Sequence, residues 1–106
     1  MKLKDRVAIV TGGGKGIGQE ICLGLVKEGA KIVIAEIDIE NSEKAKKKII
    51  DAGSEAIIIK TDVSNQKSIN EMVDQTIKHY GKIDILINNA GTVSYTHLTL
   101  PTNREV

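Results

Sequence analysis

Short runs of β-branched apolar residues alternate along the chain with longer stretches in which apolar positions recur every three or four residues. A continuous or period-2 apolar run marks a strand and a 3.6-residue period marks a helix face, so strands and helices are expected in alternation. RVAIVT (Arg6 to Thr11), KIVIAEI (Lys31 to Ile37), AIIIKT (Ala56 to Thr61) and IDILIN (Ile83 to Asn88) read as the strands. Their nearly unbroken Val and Ile content suits strands covered on both faces, the environment of a parallel sheet.

Helical periodicity fills the intervals. Ile17, Ile21 and Leu25 recur at helical spacing with Cys22 beside them, and Gly29, just past Glu28, supplies a left-handed stop. A second helix runs from Asn41, a residue type that caps helix N-termini, to Ala52, with Gly53 ending it. Ala45 and Ile49 would face the sheet, and Lys44, Lys46, Lys47 and Lys48 mostly water; the lysine run reads as a solvated face rather than a binding patch. The third stripe is the clearest. Ile69, Met72, Val73, Thr76, Ile77 and Tyr80 share one face between Asn65 as cap and Gly81 as stop. Strand-helix alternation of this kind gives an α/β fold, β-α-β-α-β-α-β, with right-handed crossovers between parallel strands.

The handover from the first strand to the first helix is TGGGKGIG, Thr11 to Gly18. Small residues there let the backbone approach a diphosphate, and the helix N-terminus offers unsatisfied N–H groups and partial positive charge. The loop fits T-G-x-x-x-G-x-G through Gly12, Gly16 and Gly18, and fits G-x-G-x-x-G in no register. Gly12 would make the tight turn, Gly14 and Lys15 would lie near phosphates with Ile17 following, and Gly18 would let the helix pack closely on the sheet. A phosphate loop of the magnesium-binding type is excluded, because Lys15 is followed by Gly16 and not by Ser or Thr. A glycine-rich turn without ligand is the plain alternative.

Glu36, at the end of the second strand, stands where a carboxylate accepts hydrogen bonds from adenosine ribose hydroxyls. Its charge repels a 2′-phosphate and favours NAD over NADP, whereas Lys15 pulls toward NADP. An exposed glutamate at a strand end is the other reading.

Composition narrows the partners. At 106 residues, 41% hydrophobic and 27% charged, the chain suits one globular domain. A net charge of +1 and an aromatic content of 2%, from Tyr80 and Tyr95, supply neither an electrostatic nor a stacking case for nucleic acid. Cys22 is the single cysteine, so an internal disulfide and a Cys/His metal site are excluded, and it reads as a small core residue. No segment approaches the ~20 apolar residues of a membrane span, and the N-terminal apolar run is too short for an export signal. A cytoplasmic location is expected.

Three motifs now combine: TGGGKGIG, the pair Asp62-Val63 after the third strand, and NNAG (Asn88 to Gly91) after the fourth. Together they resemble the cofactor half of a short-chain dehydrogenase/reductase of the single-domain type, in order and spacing from Met1 to about Gly91. The resemblance implies a partial Rossmann, doubly wound sheet of strand order 3-2-1-4. It implies that Asp62 and the Val63 backbone approach the adenine, and that the stretch of Asn88, Ala90 and Gly91 lines the adenosine ribose side. Asp62 as a helix-entry carboxylate, and Asn88 and Asn89 as turn residues, are the alternatives from local chemistry.

The family exchanges hydride between nicotinamide and an alcohol or carbonyl carbon, using a tyrosine with a lysine four positions on and a serine. Here Tyr80 is followed four positions on by Asp84, and Tyr95 by Thr99, so no catalytic residue carries over. Tyr80 reads as the last apolar contact of its helix and His79 as a solvent-facing residue near a helix C-terminus.

After NNAG the helical stripe stops. TVSYTHLTLPTNREV resembles translated sequencing adapter: GTC TCT TAT ACA CAT CTG ACG CTG CCG ACG encodes Val93 to Thr102, a variable index the next residues, and GTG TAG gives Val106 and a stop. The expected organisation is a truncated NAD(P)-binding domain over 1–92 and a non-native, disordered tail over 93–106, excluded from fold reasoning. The expected function is that of an N-terminal fragment of an NAD(P)-dependent oxidoreductase, itself inactive, whose parent is a homo-oligomer acting on a small carbonyl or alcohol. IDILIN would be left as an open sheet edge, with poor solubility and no native assembly. A stand-alone nucleotide-binding module and an S-adenosylmethionine-dependent methyltransferase fold are the competing readings, the latter opposed by NNAG and the long glycine loop.

Overall fold

Successive strand side chains point to opposite faces, and Val7, Ala8, Ile9 and Val10 are all buried, so the first strand is covered on both sides. The structure, a computed structural model, describes residues 2–14 and 16–89. Lys15, Ala90, Gly91, Tyr95, the boundary at 92 and the tail over 93–106 lie outside the described residues.

The elements follow in the order β1 (Val7–Thr11), α1 (Gly16–Lys27), β2 (Lys31–Glu36), α2 (Ile39–Asp51), β3 (Ala56–Lys60), α3 (Gln66–Tyr80) and β4 (Ile85–Asn88). The strands form one parallel sheet in the order β3-β2-β1-β4, as the family resemblance implied. Two cores flank it. Ala8, Val10, Ile32 and Ile34 face Cys22 and Val26 of α1 and Ala45 and Ile49 of α2. Val7, Ile9, Val33 and Leu86 face Ile69, Met72 and Val73 of α3. Helices thus cover both faces, which is why the strands read as unbroken Val and Ile rather than as alternating patterns.

Two local expectations are corrected. The buried face of α1 is Gly18, Cys22 and Val26, with Ile21 and Leu25 packing at its flank, while Ile17 is 73% exposed. The cap of α2 is Asp38, whose carboxylate accepts from the Asn41 amide at 3.1 Å; Asn41 lies inside the first turn and donates its own side-chain N–H to Asp38 at 2.6 Å. A carboxylate at the cap faces the positive end of the helix, which favours Asp38 over a neutral amide. The third helix is as expected: Asn65 accepts from the Ser68 amide, and Gly81 closes it at φ 82°.

The strand pairing also starts later than Ile83. The Asp84 amide donates to the Val7 carbonyl at 2.9 Å and its carboxylate accepts from the Val7 amide at 2.8 Å, so a side chain occupies the first rung of the ladder. Burial pushes the Asp84 carboxyl up, but the Val7 amide together with Lys82 and Arg6 outweighs it and holds the group below the usual carboxylate range.

Candidate functional site

The chain steps from β1 to β2 to β3 in one direction and then crosses back to place β4 on the other side of β1. That reversal opens a crevice beyond the carboxyl ends of β1 and β4, the position at which open α/β sheets bind ligands. Thr11, Gly12, Asn88 and Asn89 stand there.

Gly12 turns the chain at φ 65°, a conformation only glycine adopts cheaply, and its amide donates to the Ala35 carbonyl at 2.9 Å. Gly16 opens α1 at φ 57°. Gly18, within the first turn of α1, is packed so closely that a Cβ would overlap the Gly12 carbonyl oxygen and lie 2.7 Å from Asn89 Nδ2. The close approach expected of Gly18 toward the sheet is therefore made to the turn after β1 and to Asn89 after β4. Asn89 Nδ2 donates to the same Gly12 carbonyl at 3.3 Å, and the Asn89 amide donates to Thr11 Oγ1 at 2.9 Å. Thr11 Oγ1 in turn lies within donating distance of Asn88 Oδ1, at 3.1 Å, and of the Ile87 carbonyl, at 3.4 Å. Asn88 and Asn89 are thus pinned to the start of the glycine loop. Asn89 is expected from sequence only as a turn residue; an NN pair after a strand shows turn chemistry but not which amide turns inward.

The two central glycines rest on small buried side chains. A Cβ on Gly13 would stand 3.1 Å from Cys22 Sγ, and one on Gly14 would stand 2.9 Å from Ser42 Oγ and 3.3 Å from Glu36 Cγ. Burial pushes the Cys22 thiol from 9.0 up to about 12, which makes it a neutral packing group.

At the end of β2, Glu36 Oε1 accepts from the amides of Ile37 at 3.1 Å and Asp38 at 3.4 Å. Both bonds fall on that one oxygen; among the described residues Oε2 accepts none. Beside it an open cavity of about 110 Å³ is lined by Gly12, Glu36, Ile37, Thr61, Asp62 and Val63 among others. Ile37 contributes an exposed apolar side chain, 57% accessible, at its mouth. Asp62 Oδ1 accepts from both the amide and the hydroxyl of Ser64, at 3.0 and 2.6 Å, and these bonds hold its carboxyl below the usual range. The local alternative for Asp62 is thereby partly met, since its side chain shapes the entry to α3, while it also lines the cavity.

On the other side of Gly14 a wider groove of about 570 Å³ runs between α1 and α2, lined by Gly14, Gly16, Gln19, Lys44, Lys47 and Lys48 among others. The fold therefore gathers Gly12, Glu36, Asp62 and Val63 about one cavity and Gly14 and Gly16 about an adjoining groove, with Asn88 at the crevice. Ile17 stands apart, projecting from α1. Among the described residues no cluster of His, Cys, Asp and Glu could hold a metal, and no helix is long and apolar enough to cross a membrane. Tyr80 packs on the α3 core as expected, with its hydroxyl pushed up to about 12 by burial and then by Glu55.

A model of the short chain dehydrogenase family matches residues 6–105. The chain belongs to that family. Among short-chain dehydrogenases it is 41% identical over 92 residues to an uncharacterized oxidoreductase of Thermotoga maritima, covering 87% of this chain and 36% of that protein. It is 40% identical over 101 residues to the versicolorin reductase stcU of Emericella nidulans, covering 92% of this chain and 37% of that one. The solved structure of an NAD+-bound xylitol dehydrogenase superposes with a TM-score of 0.84 at 36% identity, over 87% of this chain and 35% of that one. The chain thus spans little more than a third of the length of these short-chain dehydrogenases.

Proposed function

We propose that this chain is the dinucleotide-binding part of an NAD(P)-dependent oxidoreductase that interconverts alcohol and carbonyl groups by hydride transfer. The observation that carries the reading is the closure of Gly18 onto the Gly12 carbonyl, which presents bare loop backbone at the mouth of α1, beside the cavity at Glu36. Helix-terminal amides suit a diphosphate, and a carboxylate with one uncommitted oxygen suits the two hydroxyls of a ribose. Gly12, Gly14, Lys15, Gly16, Ile17 and Gly18 would hold the diphosphate side. Glu36, Asp62 and Val63 would hold the adenosine, with Asn88, Ala90 and Gly91 continuing the ribose wall. When bound, the nicotinamide supplies or accepts the hydride; this chain's residues bind and orient it. No catalytic residue is assigned within the chain, since Tyr-x-x-x-Lys is absent from it.

The NAD-bound state of the xylitol dehydrogenase and the carboxylate at Glu36 favour NAD. The lysine-lined groove opening at Gly14 favours NADP as the second reading, because cations there attract a 2′-phosphate. The whole protein would be a cytoplasmic homo-oligomer acting on a small carbonyl or alcohol, without nucleic-acid or membrane partners.

Titration of the 106-residue chain with NADH, NADPH and S-adenosylmethionine, followed by fluorescence and calorimetry, tests this. NADH is expected to bind at least about tenfold tighter than NADPH, a difference of about 1.4 kcal/mol. Reversal of that order establishes the second reading, and binding of S-adenosylmethionine alone overturns both.

A further inference from the structure

Ser42 lies in the first turns of α2, wholly buried at 0% exposure, and belongs to none of the motifs that mark the site. Its hydroxyl donates to the Asp38 carbonyl at 2.8 Å, so the side chain is held in one direction. That direction brings Oγ under the glycine loop: the place a Gly14 Cβ would take is 2.9 Å from Ser42 Oγ and 3.1 Å from the Ser42 amide. The same place is 3.3 Å from Cγ of Glu36. Three elements of the site therefore meet at one point, namely the loop after β1, the carboxylate ending β2, and the buried start of α2.

The geometry points to Ser42 as a positioning residue that sets the separation between the diphosphate-binding loop and the ribose-binding carboxylate. This deepens the dinucleotide reading and rests on it. Gly14 has no side chain with which to yield, and Ser42 is the smallest polar residue that fills the space beneath it while satisfying a backbone carbonyl. Glu36 is anchored from the same turn, since Asp38 both donates its amide to Glu36 Oε1 and receives the Ser42 hydroxyl on its carbonyl. Enlarging residue 42 must lift Gly14, because the backbone on the other side of the contact cannot retreat without unwinding α2. Adenosine touches only the carboxylate side and should be insensitive to the lift, whereas a dinucleotide spans both.

The test uses the 106-residue chain, with NADH binding read by fluorescence and adenosine binding by NMR chemical shifts. Ser42→Val is expected to weaken NADH by about tenfold while changing adenosine affinity less than about threefold. Loss of both ligands in proportion, or of neither, overturns the inference. Where Ser42→Val fails to fold, the same contact is approached from above. Gly14→Ala is expected to weaken NADH, and adding Ser42→Ala to it to restore part of the loss, because the second change removes the atom the new methyl meets. Additive effects in that cycle overturn the positioning role. An unsubstituted chain that binds adenosine but not NADH overturns the dinucleotide reading itself, whatever residue 42 does.

Discussion

The backbone amide of Asn89 donates to the hydroxyl of Thr11 at 2.9 Å across 78 residues of sequence. Thr11 is 3% exposed, so this bond joins the ends of β1 and β4 in a place water reaches poorly. Thr11→Val keeps the shape and removes the acceptor, leaving a partly buried N–H to fend for itself. A loss of about 1–3 kcal/mol in urea unfolding is expected. A loss for Thr11→Val no larger than that for Thr11→Ser, which keeps the hydroxyl, would show that the bond counts for little.

Two glycines of α1 should respond to alanine in opposite directions. Gly24 is exposed, and a Cβ there meets nothing within 4 Å, so Gly24→Ala is expected to stabilise the chain by up to about 1 kcal/mol through helix propensity. Gly18→Ala drives a methyl into the Gly12 carbonyl and is expected to cost about 3 kcal/mol. Thermal melts of the two variants side by side provide the comparison.

Asp84 should shape the acid limb of the stability curve. Its carboxyl is held below the ordinary 3.8 in the folded chain, so the unfolded state takes up the proton first as pH falls. The stabilisation is fully present above that ordinary value and disappears as pH falls through the lower folded one. Asp84→Asn should lose about 1–2 kcal/mol at neutral pH and show a shallower decline below about pH 4, read from denaturant midpoints across a pH series.

Cys22 should behave as a clock for unfolding. With the thiol raised from 9.0 to about 12 by burial, the thiolate is scarce in the folded chain and the sulfur is enclosed. Because the folded value is the higher, stability from this group is complete below about pH 9 and declines between there and about pH 12. Labelling by iodoacetamide at pH 8 is expected to follow the rate of opening; labelling at the speed of a free thiol would show Cys22 to be accessible.

Strands and helices were legible wherever a single period ruled a segment, as in α3, whose six stripe residues all face the core. Legibility failed where the chain does something no hydropathy scale registers. On α1 the buried face begins with Gly18, which has no side chain to extend the apolar stripe, whereas the apolar Ile17 projects to the exposed side. On α2, Asn41 looked like the cap because Asp38 lies among strand-end residues, yet the two are hydrogen-bonded to each other and only one can be outside the helix. The tight turn at Gly12 and the place of Glu36 at the end of β2 were readable from type and spacing. Ser42 and the inward turn of Asn89 were not, since each depends on which distant backbone it meets.

The walls of the crevice come from opposite ends of the described chain: β1 and β2 pair Val7 with Lys31, whereas β1 and β4 pair Ala8 with Ile85. Pairing residues so far apart closes a long loop, and such pairings form slowly relative to local ones. During synthesis the parallel β1–α1–β2 unit, with the glycine loop and Glu36, can assemble early, whereas the crevice wall made by Asn88 and Asn89 is added only when β4 docks beside Thr11. In a growing chain the two early walls of the crevice would therefore stand open until the fourth strand supplies the opposite one.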